Sequence, residues 1–323
     1  MNKSMKNQTK EISGELDDLG FSSKYISRTQ RLVNRDGSFN VDRKGLSFSD
    51  SFNLYHWLIS IHWFKFIIFV SVSFLFVNFI FATLYYINGI ENLGVPENSK
   101  DINAYWEAFF FSTQTLTTVG YGRISPLSTS ANIIASIESL LGLLVFAIAT
   151  GLLYGRFSKP FAKIIYSKYA LIAPFRDMTG FMFRTANRHK SQIIEAEVQV
   201  VFSRLEDVNG AEIRKFYNIK LEYSKINFFS SVWTVNHPIN EYSPLYGVTE
   251  EDMHSSEGEF LILLKGFDDT FAQTVHSRFS YRHEEIIWGA KFRNIHITDD
   301  EGKVSVALNK ISDFDKTDIY TNN

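Results

Sequence analysis

The sequence predicts an α-helical membrane domain of two spanning helices with a short helix between them, followed by an all-β sandwich. Three observations carry this. Two apolar runs, 66–87 and 131–155, are each long enough to cross a bilayer. Between them lies "TQTLTTVGYGRISP", small and glycine-rich where a packing element would be bulky. Beyond Pro160 the apolar period changes from that of a helix to that of a strand. The 323 residues allow one to three domains. A formal net charge of −2 points to no polyanion, so no nucleic-acid partner is expected. The absence of cysteine excludes disulfides, thiolate metal sites and cysteine nucleophiles.

Residues 1–46 form a polar cytoplasmic arm, whose opening "MNKSMKNQTKEISGELDDLG" has no apolar core of the signal-peptide kind. In 47–64, Phe52, Tyr55, Leu58 or Ile59, and His62 or Trp63 recur at helical spacing, with Asp50 a candidate N-cap. A helix lying in the membrane interface fits better than an extension of the first span, because Asp50, Asn53 and His56 are costly in hydrocarbon. The pore domain follows, 65–158. After Lys65 the first run carries no charge for 22 residues, roughly 33 Å of helix, and the second carries only Glu138. Lys100 and Arg123 between the runs face four acidic residues, whereas Arg156, Lys159, Lys163 and Lys168 crowd the exit of the second. The positive-inside rule then puts both termini of a multi-pass inner-membrane protein in the cytoplasm.

The stretch 104–115, "AYWEAFFFSTQT", is helical in pattern but too short to span, and so re-entrant or interfacial. Irregular backbone at membrane depth is tolerated only where protein or a water-filled path surrounds it. Thr118, Val119, Gly120, Tyr121 and Gly122 match the potassium-channel filter, in which four loops turn carbonyl oxygens inward to replace the ion's water. Potassium sites at Thr118, Val119, Gly120 and Tyr121 follow, the ion being cargo, with no cofactor expected. The C-terminal end of the short helix adds a partial negative charge facing the cavity.

From about Arg31 to about Ser312 the chain resembles the inward-rectifier potassium channels, most closely their bacterial KirBac branch. The resemblance rests on "RLVNRDGSFNV", "NLYHWLISIHW", the filter, "ESLLG…GLLYGRFSKP", "LIAPF", "MFRTANRHKSQIIEAEVQV", "HPINEYSPLYGVT" and "SYRHEEIIWGAKF". It implies a homotetramer with 66–87 as outer and 131–155 as inner, pore-lining helix, and a cytoplasmic constriction at Tyr154. Leu143, Ala147, Thr150 and Tyr154 independently share one helical face, with Phe146 at its edge; an interfacial anchor is the other reading of Tyr154. Gly142 and Gly151 permit either an inner-helix hinge or close packing. The acidic cavity position of strongly rectifying relatives is Phe146 here. One acidic vestibule position is kept as Glu195 and another is replaced by Lys265, so block by polyamines or magnesium is expected to be weak. The carboxylate behind the filter in many relatives is Gln114, which leaves Glu138 without an assigned partner and Arg123 as a guess. The family also implies regulation by lipids, anionic ones fitting Arg156, Lys159 and Lys163. His56 is a candidate for proton sensitivity.

In the cytoplasmic domain, 159–312, "QIIEAEVQVVFSR" alternates Ile194, Ala196, Val198, Val200 and Phe202 with Ile193, Glu195, Glu197, Gln199 and Val201. Turn signals at Asn209-Gly210 and "DDEGK", and further strands in "FFSSVWTV", "EFLILLKGF" and "EIIWGAKF", predict an antiparallel sandwich, immunoglobulin-like by the resemblance. There Glu195 lines the cytoplasmic pore or is an ordinary exposed strand residue. Residues 313–323 form a tail. No P-loop, G-x-S-x-G or H-E-x-x-H occurs, and the scattered histidines lack metal-ligand spacing, so no enzyme is expected. The other readings of the whole are a nonconducting membrane-anchored sensor and a nonselective cation channel.

Overall fold

The computed structural model describes residues 15–16, 31–41, 45, 53–95, 103–158, 163–188, 191–229, 231–298 and 301–319. The chain divides into two compact units, 44–159, and 160–323 together with 1–43. Residues 31–41 of the N-terminal arm group with the sandwich.

The helical unit contains α1 (Leu54–Ser60), α2 (Trp63–Asn88), α3 (Ala104–Leu116) and α4 (Thr129–Phe157). The first helix is distinct from the second, because Ile61 and His62 are extended and interrupt the helical hydrogen bonds. Trp63 and Phe64 therefore open the span instead of closing the interfacial helix. Asn53 is the N-cap of α1, its Oδ1 accepting the His56 amide at 3.0 Å, while Asp50 lies outside the described residues. At about 1.5 Å per residue α2 and α4 are about 39 and 44 Å long, enough to cross a bilayer with some tilt. Most of their apolar windows are exposed in the lone protomer, unlike the core helices of a water-soluble fold. Asn103 and Ser128 cap α3 and α4.

The other unit is a sandwich of two sheets. One has the order β1 (Glu15–Leu16), β6 (Ala211–Ile219), β5 (Ile193–Val208), β9 (Glu259–Asp268), β10 (Gln273–Arg282), with β7 (Lys225–Phe229) also on β5. The other has β11 (Ile286–Trp288), β3 (Ala170–Phe175), β4 (Met178–Asn187), β2 (Ile164–Tyr166), with β8 (Val232–Ile239) on β4. Pairing is antiparallel except between β3 and β11. Two small ribbons complete it, β12 (Ala290–Phe292) with β15 (Phe314–Lys316), and β13 (His296–Thr298) with β14 (Val304–Val306). Residues 314–316 are thus part of the fold and not a free tail. Asn209 and Gly210 both take positive φ, which matches the right-handed twist of the β5–β6 hairpin they close.

The two sheets meet through aromatic rings. Phe260 of β9 stacks on Phe181 of β4 at 3.9 Å between centroids and lies 4.8 Å from Phe202 of β5; all three are fully buried. From Ile193 to Phe202 the buried residues of β5 are Ile193, Ala196, Val198, Val200 and Phe202, so the expected alternation is out of phase at its start. The cause is a bulge. The register against β9 slips between Ile194 and Glu197, and Glu195 takes φ +50.

The segment 31–41 packs on the sandwich. The Leu32 amide donates to both oxygens of buried Glu259, and Arg31 donates to Glu285 at 2.6 Å and to the Ser280 carbonyl at 3.0 Å. Ser280 in turn donates to the Val33 carbonyl.

Truncating Phe260 to Ala removes the ring that both sheets share and should destabilise the sandwich by about 3–5 kcal/mol. In denaturant titrations of the full chain followed by near-ultraviolet circular dichroism, an unshifted midpoint would show that the sheets do not depend on this stack.

Candidate ion pathway

The stretch after α3 is held by the helix it leaves. The Thr118 amide donates to the Thr115 carbonyl at 3.1 Å, and the Val119 and Gly120 amides to the Gln114 carbonyl at 2.9 and 3.4 Å. Thr118, Gly120 and Gly122 have φ of +59, +56 and +80, with Val119 and Tyr121 between them on the ordinary side. In a regular strand successive carbonyls point to opposite sides. Alternating the hand of the backbone cancels that alternation and turns a run of carbonyls one way, the arrangement that can replace an ion's water. Glycine takes this conformation freely at 120 and 122. At β-branched Thr118 it costs on the order of 1–3 kcal/mol, strain that persists only where the surroundings enforce it. Val119 and Tyr121 are exposed in the protomer.

Just past this stretch, Arg123 pairs with Glu107 of the first turn of α3, whose side chain is buried. Arg123 is therefore not the partner of Glu138. That carboxyl is fully buried between helices, its Oε2 accepting the Tyr85 hydroxyl at 2.6 Å and its Oε1 the Ser112 hydroxyl. Tyr85 and Ser112 escaped the sequence reading because each looks like part of an apolar helix.

On α4 the buried residues Ala131, Glu138, Gly142 and Arg156 form one stripe. At about 100° per residue, Leu143, Ala147, Thr150 and Tyr154 form a second stripe about a third of a turn away, with Phe146 midway between the two. Phe146 and Tyr154 are each 74% exposed in the protomer, so their own helices leave both free for another surface. The Thr150 hydroxyl donates to the Phe146 carbonyl at 2.9 Å. The two glycines differ. A Cβ on Gly142 would stand 2.1 Å from the Leu116 carbonyl oxygen, whereas one on Gly151 would meet nothing within 4 Å. Gly142 thus packs closely against the end of α3.

Arg156, expected at lipid headgroups, is only 8% exposed. Its Nη1 donates to the Leu58 carbonyl and its Nη2 to the Ile61 carbonyl at 2.7 Å, satisfying acceptors at the C-terminal end of α1. The guanidinium also lies 4.6 Å from the ring centroid of Trp63 and 4.5 Å from that of Phe66. Nη1 and Nη2 thus join α1 to the end of α4. Lys163 is exposed, and Lys159 lies outside the described residues.

On the polar face of β5, Glu195 is 3.1 Å from Lys225, and Glu197 is 2.9 Å from Lys265. Hydrogen bonds from Lys265 and then Gln199 hold the Glu197 carboxyl below the usual carboxylate range. Among the described residues no group of three or more His, Cys, Asp or Glu is arranged to hold a metal ion. His237 is occupied by the Lys220 carbonyl and the Ser243 hydroxyl.

Two apolar helices bracketing a short helix and an alternating-hand loop, joined to a β-sandwich, define the pore-forming subunit of an ion channel. The family description "Inward rectifier potassium channel C-terminal domain" matches residues 164–321, and "Ion channel" matches 72–159. An inward rectifier potassium channel of Paramagnetospirillum magnetotacticum, Kirbac3.1, is 38% identical over 88% of this chain and 95% of its own length. G protein-activated inward rectifier potassium channel 2 of Mus musculus is 28% identical over 91% and 74%, and ATP-sensitive inward rectifier potassium channel 12 of Gallus gallus 25% identical over 82% and 67%. The chain belongs to the inward rectifier potassium channel family, on its bacterial side; it is a membrane channel and not an enzyme.

Replacing Arg156 by Lys keeps the charge but loses the planar fork that reaches two carbonyls at once. Amide exchange in 54–61 of the full-length protein should quicken by about tenfold, the worth of one such bond. Exchange equal to wild type would mean that α1 is held by other contacts.

Proposed function

We propose that this chain forms a homotetramer that passes potassium down its gradient through 118–122, selecting it by exchange of water for carbonyl oxygens. The observation that carries this is the alternation of backbone hand at Thr118, Gly120 and Gly122 in a loop that α3 anchors. One loop supplies only one oxygen per level, and a weak, multi-site binder needs a ring of them, so fourfold assembly is part of the reading. The stripe from Leu143 to Tyr154 then lines the pore, with Phe146 and Thr150 in the cavity and Tyr154 its narrowest cytoplasmic point; Gly151 is the inner-helix position free to bend. Both termini are cytoplasmic, and the membrane is the cell's inner one. No cofactor takes part.

Anionic lipid remains part of the proposal through Lys159 and Lys163, with Arg156 acting indirectly by tying α1 to the gate. Polyamine and magnesium block is weak. The cavity position that would attract them is Phe146, and the vestibule carboxylates Glu195 and Glu197 are each paired with a lysine.

Purified protein in liposomes should take up potassium and rubidium but not sodium, and barium should block the uptake. Gly120→Ser should abolish uptake or its selectivity. No uptake in any lipid mixture by an intact tetramer would indicate a nonconducting sensor, and equal sodium uptake a nonselective pore.

Wild-type channels in excised patches should show shallow block by spermine. Lys265→Glu removes the partner of Glu197 and adds a second carboxylate beside it, which should tighten spermine block by about tenfold, equivalent to about 1.4 kcal/mol. Steep voltage-dependent block in the wild type would refute the weak-rectification reading.

A further inference from the structure

We propose that Glu138 is a positioning residue for conduction, the carboxyl at which the outer, pore and inner helices of one protomer are fastened so that α3 holds the filter in its strained conformation. The proposal rests on 118–122 being the conducting filter and deepens that reading.

Glu138 of α4 accepts from Tyr85 of α2 at 2.6 Å and from Ser112 of α3. The Ser112 oxygen also lies 3.1 Å from Oδ1 of Asn78 on α2, and the Asn78 amide donates to the Phe74 carbonyl of its own helix at 2.7 Å. All four side chains have no exposed surface. A carboxyl inside a membrane domain is costly unless its oxygens are satisfied, so the three helices are bound to one arrangement. Apolar contact alone would let α3 slide, because dispersion is nearly indifferent to direction; two hydrogen bonds to opposite carboxyl oxygens are not.

The fastening is in register with the filter. One turn beyond Glu138, Gly142 meets the Leu116 carbonyl with no room for a Cβ, and one turn beyond Ser112 stands Leu116 itself. Glu138–Ser112 and Gly142–Leu116 are therefore successive rungs between α4 and α3. Between those rungs lies Gln114, whose carbonyl receives the Val119 and Gly120 amides, and Thr115, whose carbonyl receives that of Thr118. A shift of α3 at Ser112 moves the acceptors that hold the positive φ at Thr118.

The chemistry of the contact separates positioning from bulk. In Glu138→Gln the amide oxygen still accepts from Tyr85. The amide N–H then donates to the Ser112 oxygen, whose own hydrogen turns to Asn78. Glutamine therefore restores the junction, and leucine, of similar size, does not.

The test uses the full-length tetramer in liposomes and compares wild type with Glu138→Leu, Glu138→Gln, Ser112→Ala and Tyr85→Phe. Rubidium and sodium uptake, barium block and tetramer retention on gel filtration are read together. Glu138→Leu and Ser112→Ala should remain tetrameric yet lose about tenfold in the rubidium-to-sodium ratio and in barium affinity, the worth of one or two buried hydrogen bonds. Glu138→Gln should lie close to wild type. Should Glu138→Leu fail to assemble, Ser112→Ala and Tyr85→Phe, each of which deletes one hydroxyl, carry the test. Tetrameric variants with wild-type selectivity and barium affinity would overturn the proposal, whatever their yield or melting temperature. So would Glu138→Gln behaving as Glu138→Leu. A wild-type protein that takes up no rubidium would instead overturn the conduction reading on which the proposal stands.

Discussion

Backbone that is neither helix nor closed sheet has no place in hydrocarbon unless protein or water satisfies its polar groups, and the rest of the helical unit follows from placing such a stretch at 118–122. The short helix α3 leads into this stretch, and its last carbonyls take the amides of Thr118 to Gly120. In the proposed filter the loop's own carbonyls are then left for an ion. Both long helices pack against α3, α2 through Phe79 and Tyr85 and α4 through Gly142. Their remaining surface is apolar and exposed, available to lipid and to other copies.

Three charged side chains illustrate two ways in which the helical unit accommodates charge. Glu107 and Arg123 neutralise each other across the mouth of the loop, one at the start of α3 and the other just past Gly122. Arg156 has no carboxylate but two carbonyls and two aromatic rings. A lipid phosphate would have to displace all of them to reach it. Arg156 thereby joins the C-terminal end of α1 to the last turn of α4, whereas Lys163 is exposed.

The two long helices, the short helix and glycine-containing loop between them, and the sandwich were legible because each is a local pattern: apolar length, short apolar length followed by glycine, or period two. What remained hidden was non-local. Glu138 meets Ser112 26 residues away and Tyr85 53 away, and Arg156 meets Leu58 98 residues away. No spacing rule connects them. Gly142 and Gly151 look alike in sequence and differ only in whether another backbone approaches. The phase error on β5 has the same origin, since nothing in "QIIEAEVQV" announces a bulge at Glu195. Gly266 on the neighbouring strand lies against it, where a Cβ would stand 2.6 Å from the Ile193 side chain.

That bulge also bears on rectification. Because Glu195 sits at φ +50 and outside the regular pairing, its carboxylate is carried by an irregular point of β5, while Glu197 rejoins the ladder opposite both Lys265 and Lys225. Each acidic residue on this face thus has a basic one across the strand, within about 3 Å in both pairs. A water-filled path lined by such pairs presents alternating charge rather than a negative ring. A polyvalent cation gains little by lingering there, because its attraction to each carboxylate is offset by the adjacent ammonium, whereas a hydrated potassium ion needs no such attraction to pass. In the proposed pore, weak block and conduction would both rest on this cross-strand pairing.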